Sequence, residues 1–78
     1  MEPIEITARF DQNGTITPLR FTWKGSVQRV ESTGRRWEDE SGMHLLVMVS
    51  GGRIHELIYR SGEGRWYHGR VETDRPVV

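Results

Sequence analysis

Cysteine is absent from the 78 residues. That excludes a disulfide framework and every thiolate-ligated metal site, and it removes the thiol nucleophile. Charge of one sign is missing as well. Eleven Lys and Arg balance eleven Asp and Glu, so the formal net charge is zero. Lysine is scarce, because Lys24 stands alone beside ten arginines. Long apolar runs are absent. The longest, Leu45 to Val49, falls far short of the ~20 residues that a membrane helix needs. The N-terminus carries no basic-then-apolar leader, so a cytoplasmic protein with no membrane association is the expectation.

What remains is one small domain over residues 1–78, with Thr73 to Val78 expected to fray. A chain of this size buries roughly 60% of the surface it exposes when unfolded. Its large side chains therefore have structural duties first. Trp23, Trp37, Trp66, Phe10, Phe21, Tyr59 and Tyr67 are all expected in or against the core. A homodimer would ease the shortage of core. The arginine bias fits carboxylate or phosphate recognition, but the acidic residues match it one for one.

Turn signals recur every eight to twelve residues, as in small sandwiches and barrels. Ile4, Ile6, Ala8 and Phe10 alternate with polar residues, the mark of a half-buried strand. Asp11 to Gly14 reads as a turn. The strand through Ile16, Leu19, Phe21 and Trp23 is interrupted by Pro18, which requires an edge or a bulge. Ser26 to Ser32 forms a third strand, bulged because Val27 and Val30 are out of phase. Gly34 to Gly42 reads as an irregular loop with Trp37 plugging the core. Met43 to Val49 is apolar on nearly every position, so it is buried on both faces. Two further strands cover Arg53 to Arg60 and Arg65 to Glu72. No helix of useful length is present. The expected fold is all-β: a small antiparallel barrel or strongly bent sheet of about six strands, SH3-like.

A two-residue turn at Gly51-Gly52 would set Val49 against Ile54, Val47 against Glu56 and His44 against Tyr59. A four-residue turn at Ser61 to Gly64 would pair Arg60 with Arg65, Tyr59 with Trp66 and Leu57 with His68. In that register all three histidines share a face with Leu46, Met48, Leu57, Tyr59 and Trp66. His44 and His68 would lie roughly 10 Å apart, and His55 and His68, diagonal neighbours, would be closer but with no third ligand of suitable type, so no metal or other cofactor is expected. Glu56 is the anomaly, a carboxylate placed on an apolar face. It requires an ion pair with an arginine, an open face, a shifted register or, least simply, a role as a catalytic acid.

The serines lie mostly in turns, none in a G-x-S-x-G elbow, and no glycine pattern cradles phosphate. No catalytic residue is assigned and the chain is not expected to be an enzyme. The candidate binding residues are Arg53, His55, Arg60, Arg65, Trp66, His68 and Arg70. Basic and aromatic residues interleaved on strands can hold single-stranded nucleic acid. Zero net charge and the core duties of the aromatics weigh against that use.

Phe21-Thr22-Trp23-Lys24-Gly25, then Val30 and Trp37, then Glu56 to Arg60 and Gly64-Arg65-Trp66-Tyr67, carry a resemblance. They resemble an uncharacterised bacterial family of short β-rich domains. Its pattern is Phe-x-Trp-x-Gly, an isolated Trp, a Glu-Leu strand and a Gly-x-Trp-aromatic close. The match runs from about Ala8 to His68, and the chain departs from it at Gln28, a position often aromatic. Some members look like appendages of Y-family DNA polymerase relatives. The resemblance implies an accessory domain without catalytic residues. The leading expectation is a non-enzymatic module that binds a protein partner, or itself, through a sheet face or an edge near Pro18 and Arg20. The alternative is a nucleic-acid accessory domain using the Arg/Trp surface.

Overall fold

The computed structural model describes residues 1–72; the expected frayed tail, Thr73 to Val78, lies outside the described residues. Every element in it is a strand: β1 (Glu2–Ile4), β2 (Ile6–Phe10), β3 (Ile16–Trp23), β4 (Ser26–Asp39), β5 (Gly42–Val49), β6 (Ile54–Arg60) and β7 (Arg65–Glu72). They form one antiparallel sheet in the order β1-β7-β6-β5-β4-β3-β2. The two ends of that order, β1 and β2, are separated by Glu5 alone. The N-terminal segment therefore serves both edges. Its first half pairs with β7, its second half pairs with β3, and the Glu5 carbonyl accepts a hydrogen bond from the Thr22 amide at 2.9 Å. The sheet curls until its edges meet at this segment. One alternating stretch thus supplies two strands, which is why seven stand where six were expected.

Gly34 to Gly42 is not a loop. β4 runs for 14 residues through it and pairs with β5 as far as Asp39. Gly34 and the arginine pair mask its alternation. The register slips between Val30 and Ser32 and again between Thr33 and Arg36, and these bulges let one long strand bend. Its first residues pair with β3 and the remainder with β5, so β4 joins a small subsheet (β2, β3 and the start of β4) to a larger one. The expected break at Pro18 is a bulge. Ala8 faces Pro18, Thr7 faces Arg20, and Leu19 is the extra residue. Arg20 lies between β2 and β4, not at an edge.

The second hairpin has the expected register, with Arg60 opposite Arg65 and Leu57 opposite His68. The first does not. The Val49 amide bonds to the Arg53 carbonyl at 3.0 Å, which closes a three-residue loop of Ser50, Gly51 and Gly52. The added residue moves every pair by one: Val47 faces His55, Leu46 faces Glu56, and His44 faces Ile58. A slip of one residue exchanges the faces. Leu45, Val47, Val49, Leu57, Phe21 and Trp66 form the buried interior. Trp23 and Tyr59 pack against it. Phe10 does not belong there, being 56% exposed. Trp37 does not plug the core but lies half-buried on the outer face, opposite His44.

Candidate functional site

The corrected register divides the histidines. His55 and His68 point inward, because they oppose Val47 and Leu57 of the core. His44 lies on the outer face with Ile58 and Tyr67. These two settings have opposite electrostatics.

Outside, His44 Nδ1 lies 2.7 Å from Glu56 Oε2, and Nε2 lies 2.8 Å from Asp39 Oδ1. A ring that donates from both nitrogens carries both protons. Burial alone would lower its pKa, but the bonds to Glu56 and Asp39 outweigh burial and hold it above the ordinary value. Asp39 is held below the ordinary carboxylate value, first by His44 and then by the Ser41 amide. Glu56 also meets Arg70, Nε to Oε1 at 3.5 Å. A bulge in β7 creates room for the carboxylate, since Gly69 and Arg70 together face Glu56. A Cβ on Gly69 would fall on the Glu56 side chain. Trp37 stacks on His44 with ring centroids 4.8 Å apart, and the Arg35 guanidinium lies over the indole at 4.9 Å. The anomaly of Glu56 thus has an ionic answer, made by His44 and Arg70. Both His44 nitrogens are committed, so the ring has no free lone pair to take a proton from a substrate.

Inside, His55 is fully buried and His55 Nδ1 lies 2.9 Å from His68 Nε2. One ring donates and the other accepts. Burial, then His68, then Arg53 lower the pKa of His55 to about 4. Burial also lowers that of His68. Phe21 and Trp23 surround the pair: His55 meets both edge-on, and Trp23 stacks on His68 at 5.1 Å. His55 Nε2 is buried without a hydrogen-bond partner. This is an aromatic core in which two imidazoles replace aliphatic side chains. Among the described residues no group of three His, Asp or Glu could hold a metal ion.

Of the seven candidate binding residues, Trp66 (6% exposed), His55 and His68 are interior. Arg53, Arg65 and Arg70 are exposed, and Arg60 is half-buried. Arg60 and Arg65 are a directly opposed pair, and the Arg60 guanidinium lies 5.8 Å from the Tyr67 ring centre. The aromatic ring beside Arg60 is accordingly Tyr67, not the buried Trp66.

Two surface features have no counterpart in the expected site. On the outer face of the small subsheet, Arg20 opposes Arg29 and Thr22 opposes Val27. A cavity of about 180 Å³ there is lined in part by Glu5, Thr7, Arg20, Thr22 and Val27. Val27 is 61% exposed and Leu19 44%. At the far end of β4, the turns after β2, β4 and β6 meet around a cleft of about 460 Å³. It is lined in part by Ile16, Glu38, Asp39, Met43 and Tyr59. Gly42 permits this junction: its φ is 135°, and a Cβ there would strike the Tyr59 carbonyl. The sequence cues were Arg20, placed beside an edge at Pro18, and the out-of-phase Val27, read as a bulge and not as an exposed side chain. No family model, curated protein or solved structure matches the chain.

Proposed function

We propose that this protein is a non-enzymatic interaction module that presents the outside of its sheet to a protein partner. The observation that carries this reading is the commitment of its interior. Trp66, Phe21, His55 and His68 fill the core, while five large apolar side chains, Met1, Phe10, Leu19, Val27 and Met48, are exposed. Apolar residues beside arginines are the composition of protein interfaces. The tie-up of His44 between two carboxylates also supports a module without acid–base chemistry.

A nucleic-acid reading draws support from the opposed Arg60 and Arg65 beside Tyr67, with Arg53 and Arg70 as further cations. The two readings part in one titration. Short single-stranded DNA is added to the full chain and intrinsic Trp fluorescence is followed at low and moderate salt. The protein-partner reading predicts no change. Quenching that weakens with salt, reported by Trp37 on the outer face, would replace it with the nucleic-acid reading.

A further inference from the structure

We infer that the Arg20–Arg29 face of one molecule docks into the Glu38–Asp39 cleft of a second copy, so that the protein self-associates through unlike surfaces. The inference rests on the interaction-module reading and names its partner.

Arg20 and Arg29 outnumber Glu5 on the first surface, and Glu38 and Asp39 line the second. Arg20 and Arg29 are direct cross-strand neighbours, and like charges in that position repel. Among the described residues neither makes an ion pair. Glu38 makes none either, and Asp39, already paired with His44 at 2.8 Å, adds a second carboxylate to the lining of the cleft. The apolar complement matches as well. Leu19 and Val27 flank the arginines, while Ile16, Met43 and Tyr59 line the cleft. The exposed ring of Phe10 packs edge-on against Tyr59, centroids 6.0 Å apart. Docking would cover the exposed Phe10, Leu19 and Val27 and place guanidinium groups against carboxylates in a partly apolar setting, where Arg performs best.

One molecule cannot make this contact with itself. Arg29 and Glu38 lie near opposite ends of β4, separated by up to roughly 30 Å of extended strand. The contact is therefore between molecules. Made reciprocally it closes as a two-fold pair; made once per pair it is heterologous and closes as a ring or propagates. A nucleic acid fits this face less well, because Phe21, the aromatic residue lining its cavity, is buried and offers bases no ring to stack on.

Sedimentation velocity of the full chain tests the inference. At low salt the wild type should exceed the 9.1 kDa monomer, increasingly with concentration, and should return to it at high salt. Arg20→Glu/Arg29→Glu should be monomeric, and so should Glu38→Arg. Mixed together, the two variants should associate again, because each reversed surface then meets its complement. Val27→Asp gives an independent uncharged-to-charged disruption of the same face, and circular dichroism checks that every variant is folded. A wild type that is monomeric under all conditions, or an association that survives both reversals, would overturn the inference. A monomeric wild type that still captures a different protein at Val27 would leave the interaction-module reading standing and remove self-association alone.

Discussion

At the scale of single residues, Glu56 shows how a chain this small accommodates a buried carboxylate. Its cost is offset by His44 on one oxygen and Arg70 on the other, and by the empty space above Gly69. Removing one member of a buried pair strands the other, typically at about 3–5 kcal/mol. Gly69→Ala tests the arrangement without touching a charge. The added methyl displaces the carboxylate, so the His44 pKa should fall back toward its ordinary value in an NMR titration. An unchanged His44 titration would mean that Glu56 does not hold it. The pairing was half legible from sequence. Glu56 stood out as misplaced and an arginine partner was foreseen, but His44 was not, because the assumed turn was one residue short. Both a two-residue and a three-residue loop satisfy Gly51-Gly52, and only the three-residue loop puts Glu56 on the face of His44.

At the scale of elements, alternation identified β2, β3 and β5 to β7 because each has a wet face and a dry face, or two dry faces. The β6–β7 register followed from turn length alone. β4 is legible as a bulged strand only from Ser26 to Ser32, and its continuation to Asp39 is hidden for a physical reason. It is exposed along most of its length and bulged twice, so no period of two survives for the eye to follow. Its Trp37 covers His44 from outside and adds little to the core. The three tryptophans should therefore separate in stability. Trp66→Ala should cost about 3–5 kcal/mol, the usual loss for emptying an aromatic core site. Trp37→Ala should cost about 1–2 kcal/mol, the sum of a stacking contact and an exposed cation–π contact. Trp23, half-buried over the histidine pair, should fall between them. Denaturant titration gives the order, and an equal loss at Trp37 and Trp66 would contradict the division into inner and outer faces.

At the scale of the whole molecule, the two histidine settings give the stability a defined pH dependence. His55 has a folded pKa of about 4 against 6.5 unfolded. Between those values the unfolded chain binds a proton that the folded chain refuses. Its contribution is full above 6.5 and declines as pH falls toward 4, by roughly 3 kcal/mol for a shift of that size. His68 acts in the same direction. His44 acts oppositely: its raised pKa gives stability that is complete below 6.5 and lost as pH rises through the folded value. Asp39 contributes above 3.8 and loses its share only as pH falls through its lower folded value. Mild acidification should therefore destabilise the protein. His55→Leu should flatten the decline between about pH 7 and about pH 4.5, seen as a smaller change in urea midpoint. A wild-type midpoint that does not move across that range would refute the neutral histidine core.

The same whole-molecule view places function outside a filled interior, and site-specific photo-crosslinking from Val27 in living cells tests that claim most directly. The side chain is 61% exposed and sits beside Arg29 on the small subsheet. The account predicts a crosslinked adduct that nuclease leaves intact and protease destroys, whether the partner is a second copy or another protein. An adduct that nuclease removes, or no adduct at all, would contradict it.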